Sequence, residues 1–424
     1  MTDTVTTTLR GVRHRWKVLS IGVAANACFS MVVGGLPATA VFMRADYHIT
    51  NAELGFVLGM LGLGIAISEL PWGLMTDRWG DRPVLITGLL STGAMLLLMA
   101  AFAAPHNGFV PAYWLLIAGV LGIGLLGSSV NGSSGRAIMA WFQEGERGLA
   151  MSIRQTAVPM GYGLGALLLP WLAARYGFVV LFIVSALLCV VAGYYAWLWL
   201  HEPDLAREKR HVTAVAAPIT GKGPLQDPAI WKIVLAIGIL CGPQFALLTF
   251  GSVFLHDFAH IDVVVVSVCL AVIQIGAMVL RIWSGRWTDK KKNRKGYLRG
   301  CTLLSILSFV LLSVLVWLWP TLSHTREIVL LLVGLFILSG MVVSAWHGVA
   351  YTELASMAGA KRAGTALAMG NTSVFVVMFI TPIAIPWLQT SMSWSSVWLA
   401  SALCAVIALI FFPKVEVTTS RETA

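Results

Sequence analysis

The sequence predicts an all-α membrane protein of twelve transmembrane helices arranged as two pseudo-symmetric six-helix bundles. Three observations predict it. Apolar residues make up 58% of the 424 and charged residues only 11%, where a water-soluble domain carries about a quarter. Apolar runs of about 20 residues, long enough to cross a hydrocarbon core of ~30 Å, recur along nearly the whole chain. One short polar loop also occurs twice. Gly73-Leu-Met-Thr-Asp77-Arg78-Trp79-Gly80-Asp81-Arg82 is echoed in the second half by Gly285-Arg-Trp-Thr-Asp289-Lys290-Lys291-Lys292-Asn293-Arg294.

Taken in order, the expected spans of the first half are 18–42, 52–76, 84–103, 113–140, 150–174 and 178–200. Those of the second half are 230–255, 263–284, 297–319, 328–351, 364–388 and 395–412. Between them, 201–229 is polar, mixed in charge and punctuated by Pro203, Pro218, Gly221, Gly223 and Pro224, which reads as a linker. The domains are therefore 1–200, a six-helix bundle, the cytoplasmic linker 201–229, and 230–424, a second six-helix bundle. A further echo supports duplication: Arg147-Gly-Leu-Ala-Met-Ser-Ile-Arg-Gln-Thr156 resembles Arg362-Ala-Gly-Thr-Ala-Leu-Ala-Met-Gly-Asn-Thr372, each opening the fifth helix of its half.

Basic residues set the expected orientation, because Lys and Arg gather in cytoplasmic loops. With both termini inside, the outer loops hold only Arg44, Arg175 and Arg326, while Arg10 to Lys17, Arg78, Arg82, Arg207 to Arg210 and the cluster from Arg286 to Arg299 fall inside. The net charge of +10 is then a topology signal rather than a nucleic-acid surface. The first 17 residues are polar and basic, so no cleavable leader is expected ahead of the first span. Six cysteines fall inside spans without a C-x-x-C pair and read as packing residues. No metal or other cofactor is expected.

The repeated pattern G-x-x-x-D-[RK]-x-G-x-[RK], between second and third helices, resembles the cytoplasmic signature loop of the major facilitator superfamily of secondary transporters. The resemblance extends over essentially the whole chain. It implies a substrate site near the midplane between two bundles that rock to expose it to either side. It also implies a gating set: Gly73, Asp77, Arg78, Gly80 and Arg82 in the first loop, and Gly285, Asp289 and Arg294 in the second, with Arg281 as a neighbour. Glu69 and Arg281, each eight residues before a signature aspartate, are read as parts of the two latches. Such a latch would clasp the bundles on the inner side and favour an outward-facing state; a loop that only sets topology is the alternative. Lys292 stands where the pattern has glycine, so the second loop is expected to be looser. Val158-Pro159-Met160-Gly161-Tyr162-Gly163 is similar to the family's antiporter motif and predicts a kink in helix 5. Ile123 replaces the arginine found in many drug–proton antiporters, which weakens the drug-efflux reading.

Polar residues inside spans are costly and point to function. The candidates for substrate contact are Asn26, Asn131, Arg136, Arg154, Gln155, Gln244, Gln274, His347 and Asn371. Gln244 follows Gly242-Pro243, a pair expected to open helix 7. Arg136 and Arg154 either face the cavity or snorkel to the cytoplasmic surface. With no carboxylate in the middle of a span, two cavity-facing arginines would make an electropositive site suited to carboxylates. His347 is the proton-coupling candidate if coupling exists, and Glu353 a second; a histidine hydrogen-bonded between helices is the alternative for His347.

The expectation is a monomeric carrier of the bacterial inner membrane moving a small organic anion, by proton coupling or exchange. The alternatives are efflux of hydrophobic drugs, uptake of a siderophore-like aromatic acid and, from another class, a membrane sensor or enzyme. The loops hold no room for a soluble output domain, the spans lack catalytic constellations, and no Walker motif is present.

Overall fold

The computed structural model describes residues 14–106, 108–142, 150, 153–201, 223–358 and 363–412. The side chain of Asp77, most of the linker, and the segments opening each fifth helix at Arg147 and Arg362 lie outside the described residues.

The spans are α1 His14–Ala38, α2 Asn51–Trp79, α3 Asp81–Ala103 and α4 Tyr113–Ile138. A continuous stretch, Ile153–Trp199, follows. It is interrupted at Gly177, whose φ of 77° and ψ of 178° are open to glycine and not to other residues, so it forms two spans, α5 (153–176) and α6 (178–199). The second half comprises α7 Pro228–Phe258, α8 Val263–Lys291, α9 Arg294–Thr321, α10 Arg326–Ala358, α11 Thr365–Ser391 and α12 Trp394–Phe411. A short helix, Ala40–Asp46, extends α1. Twelve spans are thus present, at nearly the expected places.

The pseudo-symmetry shows in the turns. His48 after the first helix and His260 after the seventh both take φ 54°. Gly80 and Lys292, at equivalent places in the two signature loops, both have positive φ, 98° and 52°. Lys292 keeps a positive φ where the first loop has glycine. It adopts the left-handed conformation itself, at a cost of about 1–2 kcal/mol, and Asn293 then caps α9 by accepting from Gly296 N at 3.0 Å.

Two spans are broken in mid-course, which the sequence reading does not anticipate. α4 breaks at Ser128 and resumes at Ser129–Trp141; α10 ends its first segment at Ser344 and resumes at His347. By contrast, α7 runs unbroken through Gly242-Pro243. The helix-5 discontinuity falls at Thr156, so Pro159 sits in the first turn of the regular helix beginning at Ala157, where its missing N–H costs nothing.

The halves meet along α2 against α11, α5 against α8, and α1 with the short helix against α7. Glycines allow the first seam. A Cβ on Gly55 would collide with the Pro382 carbonyl, one on Gly59 would lie 2.8 Å from the Phe379 oxygen, and one on Gly62 would lie 2.7 Å from the Phe379 nitrogen. These three form a small-residue stripe that lets two backbones touch. They occupy the part of α2 far from its signature loop, whereas Gly73 and Gly285, beside the loops, have nothing near the Cβ position.

Candidate functional site

In each half an arginine donates to a backbone carbonyl beside the mid-helix break. Arg154 Nη2 donates to the Asn131 carbonyl at 2.5 Å and to Ser134 Oγ at 3.3 Å, while its guanidinium packs 3.5 Å from the Cβ position of Gly135. Arg281 Nε donates to the Ser344 carbonyl at 3.0 Å. Ser344 ends its helical segment, where the carbonyls carry partial negative charge and stabilise a cation, whereas Asn131 lies in the first turn of its segment and offers Arg154 a charge-assisted hydrogen bond. The two arginines are thereby held well inside the bundle instead of snorkelling to its surface.

Their surroundings differ. Arg154 is buried and interacts electrostatically with Glu69. Glu69 Oε1 accepts from Asn371 Nδ2 at 3.4 Å, and the Asn131 amide lies beside the same carboxylate. Glu69 therefore does not belong to a latch at the loop. It sits in a polar network with one residue from the other half, and the expected absence of a mid-span carboxylate is corrected: the first arginine is compensated.

Arg281 faces Tyr162, Cys241 and Tyr351, and its charge also reaches His347. Among the described residues no carboxylate interacts with it. His347 stacks on Trp346 at a centroid separation of 3.9 Å and places Nε2 3.8 Å from Cys241 Sγ. Gln244 lies one turn from Cys241 on α7, and Gln274 two turns before Arg281 on α8. Both glutamines are buried, and Gln244 Oε1 and Gln274 Nε2 have no hydrogen-bond partner. A void of about 10 Å³, room for about one water, is lined by Gly34, Tyr162, Ala166, Leu248, Leu270 and Gln274 from both halves. Tyr351 interacts with both Glu69 and Arg281 and joins the two clusters.

The remaining candidates fall elsewhere. Arg136 Nε pairs with Asp81 Oδ1 at 3.2 Å, at the signature-loop end and away from the centre. Glu353 lies 4.0 Å from Arg294, which also contacts Asp289 at 3.5 Å and Ser356 Oγ at 3.1 Å. Arg82 caps α6 through the Trp197 carbonyl at 2.6 Å, and Arg78 is exposed. Asn26 is fully buried and accepts from Ser30 Oγ at 3.1 Å; Gln155 is half-buried. Asp81, Arg82, Asp289 and Arg294 of the signature loops contact Arg136, Trp197, Glu353 and Ser356 within their own halves. The ties that do cross are Arg44 with Asp257, Ser252 Oγ with the Pro37 carbonyl, and Asn371 with Glu69. Two of these ties, Arg44 with Asp257 and Ser252 with Pro37, lie at the end opposite the signature loops, while the side chain of Asp77, on which the expected clasp turns, lies outside the described residues.

The model of the major facilitator superfamily matches residues 21–325. The chain belongs to that superfamily. It is 27% identical over 408 residues to an uncharacterized MFS-type transporter of Mycobacterium tuberculosis, covering 96% of this chain and 86% of the relative. It is 22% identical over 405 residues to the membrane sensor protein UhpC of Salmonella typhimurium, covering 91% and 88%. Among solved structures, a D-xylose-proton symporter superposes with a TM-score of 0.73 at 15% identity over 95% of this chain and 98% of that one, which establishes the shared fold. This is a multi-pass membrane transporter of the alternating-access type.

Tyr162, Cys241, Tyr351 and the placement of Glu69 escaped the sequence reading of the site. Tyr162 lay inside the quoted proline and glycine motif. Tyr351 and Cys241 carry no sequence signal beyond sharing helices with His347 and Gln244.

Proposed function

We propose that this protein carries a small organic anion, a carboxylate, across the bacterial cytoplasmic membrane, with both termini and the signature loops on the cytoplasmic side. The bundles 1–200 and 230–424, joined by the linker 201–229, rock about the cluster at Arg281. One observation carries the reading: the Arg281 guanidinium lies between the halves, near phenols, a thiol and an imidazole, and among the described residues no carboxylate neutralises it. A charge taken out of water without a counter-ion is costly, and a bound carboxylate supplies both the counter-charge and bidentate acceptors. His347, Tyr162, Tyr351, Gln244 and Gln274 are placed to complete its hydrogen bonds. Arg136 and Glu353, tied to the loops, move from the binding and proton-coupling sets to the gate. Transport is driven by protons or by exchange, the protein works as a monomer, and its partners are the anion, the lipid bilayer and protons.

Aromatic rings around the cation also suit an aromatic acid. Sensing is a second reading, favoured by the likeness to UhpC, whose length this chain largely spans. Counterflow in proteoliposomes distinguishes these readings. Gluconate, hippurate, succinate and neutral mannitol are compared in wild type, Arg281→Gln and Arg154→Gln, with protein-free vesicles subtracted. The expected result is anion uptake by wild type that falls about 10–100-fold in Arg281→Gln, the worth of a charged hydrogen bond. Equal uptake of mannitol and the anions would overturn the anion reading, and binding without uptake would favour a sensor.

A further inference from the structure

We propose that Glu69 is the site of the coupling proton, and that protonating it leaves the charge of Arg154 unbalanced and available to the substrate. The proposal rests on the anion reading of the Arg281 cluster and adds a second, conditional cation to it. Glu69 is the acidic side chain that reaches across the seam between halves at the depth of the site. Its oxygen Oε1 is held by Asn371 of α11, while Oε2 is buried without a well-placed donor. The groups that face it are Arg154 from α5, the amides of Asn131 from α4 and Asn371 from α11, and Tyr351 from α10. α1 and α3, also packed on α2, bring no ionisable group to it among the described residues. Arg154 is therefore the cation whose charge Glu69 offsets.

The charge balance gives the mechanism. With Glu69 ionised, Glu69 and Arg154 cancel and the site presents the single positive charge of Arg281. A proton from the aqueous side bonds to Oε2, the carboxylate becomes neutral, and Arg154 adds its charge to the site. Proton and anion each favour binding of the other, which is the thermodynamic requirement for symport. Releasing the proton restores the Glu69–Arg154 interaction and expels the anion. No electrons move and no covalent bond forms apart from the O–H bond. Tyr351, which feels the charges of both Glu69 and Arg281, lies electrostatically between the two clusters. His347, beside the fixed charge of Arg281, serves as a hydrogen-bonding wall.

The first test needs no substrate. Full-length wild type, Glu69→Gln and Glu69→Asp are placed in lipid bilayers and titrated by difference infrared spectroscopy. A carboxylic C=O stretch that grows on acidification is expected in wild type, shifted in Glu69→Asp and missing in Glu69→Gln. An unchanged carbonyl difference in Glu69→Gln would overturn the proposal whatever the substrate proves to be.

The second test uses hippurate in proteoliposomes. In wild type the KM should fall by up to about tenfold per pH unit on acidification through the titration of Glu69. In Glu69→Gln the KM should be low and independent of pH, with counterflow kept and accumulation driven by a pH gradient lost. Gradient-driven accumulation by Glu69→Gln would overturn the proposal. Absence of hippurate uptake by wild type would instead count against the anion reading, leaving the infrared result to decide the proton site.

Discussion

Arg44 Nη1 and Asp257 Oδ2 lie 2.5 Å apart and join the first half of the molecule to the second, at the end opposite the signature loops. Arg44 belongs to the short helix after α1 and Asp257 to the last turn of α7, and each has a second partner, Asn51 Oδ1 at 2.8 Å and His256 Nδ1 at 2.8 Å. The pair is a fastener between two bodies that must part during the cycle. Its side chains are 26% and 30% exposed, so solvent screens it and its worth is about 1 kcal/mol. Asp257→Asn should therefore move the balance between facing states by about fivefold toward the one open at this end. Hydrogen exchange checks it: faster exchange is expected at 38–50 and 254–263 with slower exchange at the signature loops, and equal exchange in variant and wild type would refute it.

The α2–α11 seam predicts a stronger effect of the same sign. Gly59→Val puts branched methyl groups where a single Cβ already meets the Phe379 oxygen at 2.8 Å, so the helices cannot approach. Counterflow should be lost, because the state sealed at this end is forbidden, while detergent-solubilised protein still unfolds cooperatively. Alanine at Gly73, whose Cβ position is empty, should leave packing unchanged, with a thermal midpoint close to wild type.

Arg136 and Asp81 define a third experiment. Asp81 is buried, at 5% exposure, so Arg136→Gln takes a counter-charge away from a largely desolvated carboxylate at the first signature loop. Arg136→Gln should lower thermal stability by about 1–3 kcal/mol while leaving KM for the anion near the wild-type value. The double variant with Asp81→Asn should recover part of that loss, with a coupling of about 0.5–3 kcal/mol in a double-mutant cycle. A KM raised as far as by Arg281→Gln would return Arg136 to the substrate site.

The spans and the duplication were legible because they follow from local, repeated properties: apolar length for the helices, and one motif written twice for the halves. The site was legible only in part. Asn131, Arg154, Gln274, His347 and Asn371 stood out as polar residues in apolar runs, and all five lie in the central clusters. Arg281 and Glu69 stood out too, but their spacing from Asp289 and Asp77 suggested the loops. Two turns of helix carry them about 12 Å away from those aspartates, toward the middle. The pairing of Arg136 with Asp81 was not legible, since the two are distant in sequence and no local signal announces the pair. The breaks at Ser128 and after Ser344 lack proline, so no local signal marks them, and after Ser344 a tertiary partner, Arg281, takes the carbonyl. Lys292 shows the same override, since its context imposes a backbone conformation that its side chain disfavours.

The joints in α4 and α10 have a mechanical consequence. Each is bolted by a guanidinium, Arg154 on the Asn131 carbonyl and Arg281 on that of Ser344. A ligand that draws Arg281 toward itself loosens that bolt in the same movement, and the segment beginning at His347 becomes free to swing. Seating the cargo and unlocking the lever are then one event, with no separate signal needed to report that the carrier is loaded.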